Sequence, residues 1–301
     1  MKLLFVVNPI SGGINKEPFL ITAKKLCHKY GVHYEVFKTT GVNDFENLKL
    51  VLEKTSPDKV VSVGGDGTTL FTSIVLRNSK YTMGIIPLGS ANGMATELFV
   101  NPNPLEALKD IILSQVVAGL DMVVVNDKYY SIHIGDIGFN AGIVNSYEKD
   151  ENRGMATYAK YFFEELSKLS SFSFTLKTNN KEIHSNGLML GICNSKKYGT
   201  GVPLNNNGNP MDGKFEIVIV EKINMNSLIK AGLSKYDESF IDTKNSKVIS
   251  TKNAEIIFDQ PRLLQLDGEV IGEFEKIKIG IIPGAVNFIT HNENTFIDIS
   301  S

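Results

Sequence analysis

Residues 60–70, Val-Val-Ser-Val-Gly-Gly-Asp-Gly-Thr-Thr-Leu, constrain the fold of this chain more than any other segment. Apolar and small residues run directly into three glycines around one aspartate, which predicts a buried strand that ends in a tight loop. Residues 69–76 then have the pattern of the first turns of a helix. Such a loop exposes backbone N–H groups at a positive helix end, which suits phosphate oxygens. The alternative is an ordinary glycine-rich turn, and the embedded Asp66 favours the phosphate interpretation.

The composition is that of a globular protein. The chain has 301 residues, enough for two domains, with 42% hydrophobic and 21% charged residues. Its net charge of −2 and pI near 6.2 do not fit a nucleic-acid-binding surface, so no nucleic-acid partner is expected. No apolar run approaches the roughly 18 residues of a membrane-spanning helix. The two cysteines, Cys27 and Cys193, form no CxxC pair, which favours reduced thiols and a cytoplasmic location.

The first part of the chain alternates strands with helices. Strands are predicted at 3–7, 34–37, 59–63 and 81–86, and helices at 17–30 and 45–54. This alternation is typical of a parallel sheet covered by helices, with ligands at the carboxyl ends of the strands. Three unusual loops fall at those ends, at 8–13, 64–69 and 87–93. We therefore expect one phosphate-binding crevice at this edge.

From about residue 121 the pattern changes to strands separated by Asn-Asp, Asn-Asn, Asp-Gly and Pro-Gly turns. Strands are predicted at 122–125, 129–134, 172–178, 188–193, 215–220, 254–258 and 276–282, with helices only at 155–169 and 225–233. The apolar stripe of the first helix (Tyr158, Phe162, Leu166 and Leu169) favours core packing over lipid contact. The prediction is an α/β domain at 1–122, joined by the tail 285–301, and a mostly antiparallel β-sandwich at 123–284, with a cleft between them.

Five motifs, in this order, resemble the diacylglycerol kinase catalytic-domain family, which includes sphingosine kinases and bacterial lipid kinases of the YegS-like type. They are Asn8-Pro9-Ile10-Ser11-Gly12, Gly64-Gly65-Asp66-Gly67-Thr68, Pro87-Leu88-Gly89-Ser90-Ala91-Asn92, Pro210-Met211-Asp212-Gly213-Lys214 and Leu266-Asp267-Gly268-Glu269. The second motif is also shared with NAD kinases and 6-phosphofructokinases. The closing Asp-Gly-Glu selects the lipid-kinase branch, and the T-x-T-G-S-T-A-Y segment of NAD kinases is absent.

The resemblance implies that the first domain binds ATP. Matched to the family motifs, the nucleotide-binding residues are Asn8, Pro9, Ser11, Gly12, Thr39, Gly64, Gly65, Asp66, Gly67, Thr68, Thr69, Leu70, Ser90 and Asn92. Glu269 inherits the role of proton acceptor, with Asp267 beside it, and Asp66 would organise a catalytic Mg²⁺. The neighbours Leu266, Val270 and Ile271 predict partly apolar surroundings for Glu269.

The family also implies a structural magnesium. The backbone carbonyls of Asn209 and Lys214 and the carboxylate of Asp212 would supply oxygen ligands, which suit a hard cation. A plain β-turn aspartate is the alternative for Asp212.

The function implied is that of an ATP-dependent lipid kinase, which transfers the γ-phosphoryl group to a lipid hydroxyl. The lipid would be taken from the membrane surface, and the protein would be cytoplasmic and contact the inner face of the membrane transiently. The sequence is compatible with a homodimer but does not decide the oligomeric state. Two acids of the family pattern are missing, because Thr69-Leu70-Phe71 and Asn92-Gly93-Met94 replace apolar-Asn-Glu and Asn-Asp-aromatic. A nucleotide-binding pseudokinase or a kinase of a non-lipid alcohol therefore remain alternatives.

Overall fold

The computed structural model describes residues 1–138, 141–143, 146, 161, 164, 170–179, 181–198, 203–222 and 246–297. The chain divides into two compact units. Unit 1 comprises Met1–Asp121 and the C-terminal segment from Pro283, and unit 2 comprises Met122–Ile282.

Unit 1 is an α/β unit with parallel strands. Its elements are β1 (Lys2–Val7), α1 (Glu17–Lys29), β2 (His33–Lys38), α2 (Asp44–Thr55), β3 (Lys59–Gly64), α3 (Asp66–Leu76), β4 (Thr82–Pro87), α4 (Gly93–Glu97) and α5 (Pro104–Leu113). The strand order is β4-β3-β1-β2, and every one of these pairs is parallel. This order places the loops after β1, β3 and β4 at one edge of the sheet.

Three strands of the unit 1 sheet, β1, β3 and β4, are buried because they are apolar on both faces, whereas the edge strand β2 is mostly exposed. Leu3, Phe5 and Val7 of β1 pack in one cluster with Phe19 of α1 and Leu108 of α5. Five consecutive residues of β1 are buried, as expected for a central parallel strand.

Unit 2 is built from antiparallel strands. They are the end of β5 (Val117–Val125), β6 (Tyr129–Ser131), β7 (Ile134–Gly138), β8 (Phe172–Thr178), β9 (Glu182–Gly187), β10 (Met189–Cys193), β11 (Phe215–Val220), β12 (Lys247–Thr251), β13 (Asn253–Leu266) and the first part of β14 (Glu269–Ile289). The order β12-β11-β10-β7-β13-β14 forms the main path, and β8 pairs with β13 and β9. Phe172, Phe215 and Phe258 belong to its main core cluster.

The predicted fold class is confirmed, whereas several element bounds differ. The predicted strand 129–134 is two strands, because Ile132 and His133 donate backbone hydrogen bonds to the Asp267 carboxylate instead of continuing a ladder. The prediction missed α4, α5, β9 and β12; β9 and β12 are mostly polar and half-exposed, so their apolar pattern is weak.

The predicted helices 155–169 and 225–233, with the apolar stripe of the first, lie outside the described residues. Among the residues that the structure describes, no helix is long and apolar enough to cross a membrane.

Candidate functional site

The three loops predicted to form one crevice touch each other through glycines. A Cβ atom on Gly89 would lie 2.2 Å from the Cα atom of Gly65, and one on Gly12 would lie 2.9 Å from the backbone nitrogen of Ser90. Backbone can approach backbone this closely only where both side chains are absent or turned away. Gly12 also has φ of 62°, inside the short 3-10 turn Ser11–Gly13. The structure therefore brings the loops after β1, β3 and β4 into direct contact.

Two hydroxyl groups converge beside Gly64 without hydrogen-bond partners. A Cβ atom on Gly64 would lie 2.3 Å from Oγ1 of Thr68 and 3.1 Å from Oγ of Ser11. Both hydroxyl oxygens are buried, and neither finds a partner within the described part of the chain. Buried polar groups are nearly always satisfied in native proteins, so an orphaned pair points to a polar ligand. These hydroxyls and the surrounding backbone N–H groups fit a phosphate group.

Asp66 links the second loop to the third. The backbone N–H groups of Gly93 and Met94 donate to its two carboxylate oxygens, at 3.0 and 2.9 Å. The carboxylate thus caps α4, whose helix dipole favours an anion at that end. A carboxylate has about four lone-pair sites, so both oxygens keep the capacity to accept a metal ion or a further donor.

The other predicted nucleotide residues mostly shape the loops. Asn92 braces the third loop, since its side chain accepts from the N–H of Gly89 at 2.8 Å and donates to the carbonyl of Gly89 at 3.0 Å. The side chain of Asn8 accepts from the N–H of Ile10, and Thr69 donates its hydroxyl to the carbonyl of Gly65. The backbone N–H of Thr39 donates to the carbonyl of Val7. Exposed members of the set are Pro9, Gly12, Gly67 and Ser90, and Leu70 is half-buried.

Phe71 occupies the position where the family pattern has an acid. Its ring lies 4.8 Å from that of Phe45 in an edge-to-face arrangement. The substitution thus exchanges a carboxylate for an aromatic contact between α3 and α2.

Lys16 is a residue that the sequence reasoning missed. It is 3% exposed, and its Nζ donates to the carbonyls of Ile14, at 2.8 Å, and of Ser11. Burial lowers the pKa of this ammonium from its ordinary value. A lysine just before a predicted helix is unremarkable in sequence, so no pattern could have identified it.

The Asp-Gly-Glu motif of unit 2 is the turn between β13 and β14. Asp267 and Gly268 have φ of 50° and 88°, as a two-residue hairpin turn requires. The Asp267 carboxylate accepts from the Ser131 hydroxyl at 2.5 Å and from the N–H groups of Ile132 and His133 at 3.0 and 3.2 Å. Glu269 is exposed, so the predicted apolar surroundings are wrong for this side chain. The turn is fixed by Asp267 and presents Glu269 to solvent.

A buried polar pair supports the same turn from behind. The side chain of Gln265 accepts from the N–H of Gly268 at 2.8 Å and donates to the carboxylate of Asp136. Tyr198 donates its hydroxyl to the same carboxylate at 3.0 Å. Gln265 and Asp136 were missed because single polar residues inside an apolar strand carry no distinctive spacing.

The proposed metal turn has oxygen donors but only one carboxylate. Asp212 accepts from the N–H of Lys214 at 2.9 Å, and Asn209 accepts from the N–H of Met211 at 3.0 Å. These are turn-forming bonds, as the alternative interpretation of Asp212 predicts. Within the described residues, no group of three His, Cys, Asp or Glu side chains is gathered for a metal. The donor chemistry suits a hard cation, although the backbone carbonyls would have to complete the site.

Glu216 is a buried acid close to this turn that the sequence did not indicate. It is 4% exposed and accepts from Nδ2 of Asn205 and from the hydroxyl of Ser250, each at 2.8 Å. Burial raises the pKa of Glu216, because removal from water disfavours the carboxylate form. Burial likewise raises the pKa of Cys193 well above its ordinary value, with Glu216 and Asp136 adding to the effect.

Two domain families match consecutive parts of the chain. The diacylglycerol kinase catalytic domain family matches residues 2–125. The YegS C-terminal NAD kinase beta sandwich-like domain family matches residues 136–290. The chain is 18% identical to a structure described as a diacylglycerol kinase from Bacillus anthracis, with a TM-score of 0.71 and 98% of each chain covered. That likeness shows the fold.

Curated relatives extend along most of the chain. A protein of Yersinia enterocolitica named "Probable lipid kinase YegS-like" is 28% identical over 244 residues, which cover 76% of this chain and 77% of that protein. A protein of the same name from an Enterobacter strain is 26% identical over 236 residues, covering 76% and 77%. With both domain families matched in order, the chain belongs to the YegS-like family of diacylglycerol kinase-type proteins.

Proposed function

We propose that this protein is an ATP-dependent lipid kinase that transfers the γ-phosphoryl group to a lipid hydroxyl. The observation that carries the proposal is the convergence of three glycine loops on two orphaned hydroxyls, Ser11 Oγ and Thr68 Oγ1. Family membership supports a phosphotransferase with an alcohol acceptor, because the relatives are named lipid kinases. Phosphoryl transfer depends on positioning and charge stabilisation, which such loops provide.

The nucleotide would be bound by unit 1. Backbone N–H groups of the second and third loops would donate to phosphate oxygens, and the hydroxyls of Ser11 and Thr68 would find their missing partners there. Asp66 would hold the third loop against the second and contribute to a catalytic Mg²⁺, which would neutralise phosphate charge when bound.

The acceptor hydroxyl would lose its proton to Glu269. This carboxylate is exposed and sits directly after a turn that Asp267 fixes through three hydrogen bonds. Asp267 acts here as the positioning partner of the base. A second Mg²⁺, at Asn209, Asp212 and Lys214, would be structural. It would hold together the turn that precedes β11.

We further propose that the acceptor is drawn from a membrane surface, by a cytoplasmic protein that contacts the inner face transiently. The names of the relatives support a lipid acceptor. The proposal includes a possible homodimer, and the oligomeric state is to be measured in solution with and without lipid.

The deciding experiment incubates the purified full chain with γ-labelled ATP, Mg²⁺ and vesicles made from a mixed lipid extract. Label transferred to organic-phase lipid supports the proposal, and parallel reactions with glycerol and sugars test water-soluble alcohols. ATP binding is measured on the same preparation by calorimetry. ATP hydrolysis alone, with no labelled lipid, would contradict the lipid-kinase assignment.

A nucleotide-binding pseudokinase is the second candidate, and two observations favour it. The Asp66 carboxylate is engaged by Gly93 and Met94, and Phe71 fills the place of a family acid by packing on Phe45. The two backbone donors take up part of the acceptor capacity of Asp66, and Phe71 removes a negative charge that would help to hold Mg²⁺. ATP binding without transfer to any lipid or soluble alcohol would establish this second function.

A further inference from the structure

Lys16 is a buried ammonium without a carboxylate partner among the described residues. The residue is 3% exposed. It directly precedes α1, and a helix N-terminus carries positive partial charge that disfavours a cation. The adjacent carboxylate of Glu17 is engaged elsewhere, with Lys38 at 2.7 Å. A buried charge without a counter-ion is costly, so its presence here calls for a compensating anion.

The contacts of Lys16 connect it to the phosphate loops. Its Nζ donates to the carbonyls of Ser11 and Ile14, two of the three bonds that an ammonium can make. The first contact fixes the residue whose hydroxyl is orphaned beside Gly64. Gly12, the next residue, packs on the backbone of Gly89 and Ser90. Lys16 therefore holds the first loop through two of its backbone carbonyls. No carboxylate among the described residues neutralises its charge.

We propose that Lys16 is a positioning residue that supplies the fixed positive charge behind the phosphate site and selects nucleotides by their polyphosphate chain. The inference rests on the proposed ATP site of unit 1. A bound polyphosphate supplies the anion that Lys16 lacks, and Ser11, held by Lys16, offers its hydroxyl to the same group. Selection between a nucleoside and its triphosphate then depends on this one charge in addition to the neutral loop N–H groups.

The test uses the full chain in three variants. Lys16→Met keeps an unbranched side chain of similar length without charge, and Lys16→Gln removes the charge but keeps N–H donors for the loop carbonyls. Lys25→Met is the matched control, because Lys25 is an exposed lysine of α1. Calorimetry gives Kd for ATP, adenosine and inorganic triphosphate. Both Lys16 variants should bind ATP and triphosphate about 10- to 100-fold more weakly, with adenosine binding unchanged. Lys25→Met should match the wild type.

The outcomes separate the charge from a merely structural role. A structural role predicts that Lys16→Gln binds like the wild type, or that adenosine and ATP weaken equally, and either result overturns the inference while the proposed function stands. A wild type that binds neither ATP nor triphosphate overturns the proposed function itself.

A measurement on the wild type covers the case in which the variants do not fold. Inorganic triphosphate should slow acetylation of Lys16 by an amine reagent, followed by mass spectrometry, and leave Lys25 unaffected. Equal acetylation of Lys16 with and without triphosphate, in a protein that binds triphosphate, overturns the inference.

Discussion

At the scale of single residues, the polar side chains of the candidate site differ in whether their hydrogen-bonding capacity is satisfied within the protein. Ser11 and Thr68 have buried hydroxyls that lack partners in the described chain, which is why the proposed phosphate site includes them. The carboxylate of Asp267, in contrast, already accepts three hydrogen bonds within the protein and needs no ligand to satisfy it. Glu269 is exposed beside it, and a general base must reach the acceptor's proton.

The exposed glutamate gives the first prediction. Glu269→Gln keeps the size of the side chain but cannot accept a proton, so turnover of the lipid kinase reaction should fall by about 10²- to 10⁴-fold. The Kd for ATP should stay unchanged, because the loops that would bind it belong to unit 1. Turnover is measured with labelled ATP and Kd by calorimetry. Wild-type turnover in this variant would move the base to another residue, with Asp66 or Asp267 the next candidates.

Gly89 gives the second prediction. A Cβ atom there would lie 2.2 Å from the Cα atom of Gly65, so Gly89→Ala must push the second and third loops apart. ATP should then no longer raise Tm, whereas in the wild type a ligand at about 100 times its Kd stabilises by about 2.7 kcal/mol. The readout is the ATP-induced change in Tm. Gly280→Ala is the control, since its Cβ would meet Val124 at an ordinary 3.5 Å. An equal Tm rise in both variants would argue against the loop assignment.

At the scale of elements, the strands of unit 2 bury acids that the proposed transfer does not use. Glu216 on β11 is hydrogen-bonded across to Ser250 on β12, and the same pair of strands leads to Glu221, which is exposed and paired with Lys247 at 2.6 Å. Burial raises the pKa of Glu216, whereas the hydrogen bond from Lys247 lowers the pKa of Glu221. Two acids near opposite ends of one strand therefore respond oppositely to pH.

This difference gives the third prediction. With its folded-state pKa raised, Glu216 contributes stability below its unfolded pKa and loses it as pH rises through the folded value. Glu216→Gln should therefore gain stability relative to the wild type between pH 4 and pH 8, by about 1.4 kcal/mol for each unit of pKa shift. Urea unfolding at several pH values measures this. Glu221→Gln should show the opposite slope, since a lowered pKa stabilises above the unfolded pKa; the same sign in both variants would refute the argument.

At the scale of the whole molecule, each unit has its own core. The unit 1 cluster is built on β1, α1 and α5, and the unit 2 clusters on its antiparallel strands. The three glycine loops and the Asp-Gly-Glu turn thus belong to different units. The binding of ATP should therefore change the dynamics of unit 1 more than those of unit 2.

Hydrogen exchange with mass spectrometry gives the fourth prediction. ATP should slow amide exchange most in residues 8–13, 64–69 and 89–94, because bound phosphates would engage those N–H groups. Peptides that cover the turn at Asp267 and Gly268 should change less. Adenosine is the control, since it has no phosphate. Strongest protection within residues 203–222 would place the nucleotide in unit 2 and contradict the proposal.

The sequence by itself determined the fold class and most strands of both units. Short runs rich in valine and followed by glycine, such as residues 60–63, favour buried strands, and the glycines and acids after them carry local signals of turn and loop. The Asp267–Gly268 turn is of this kind, since the dipeptide itself favours the two-residue hairpin. Those signals depend on neighbours in sequence, so one chain suffices to detect them.

Only the tertiary structure decided how the loops are completed. The contact of Gly89 with Gly65, the capping of α4 by Asp66 and the burial of Lys16 join residues whose proximity no local pattern states. The link from Asp136 through Gln265 to Gly268 spans 129 residues of sequence at its first step. Whether a polar group is buried, and whether it finds a hydrogen-bond partner there, depends on the packing of segments that are distant in sequence. The free-energy cost of an unsatisfied buried group can therefore be assessed only from the folded structure.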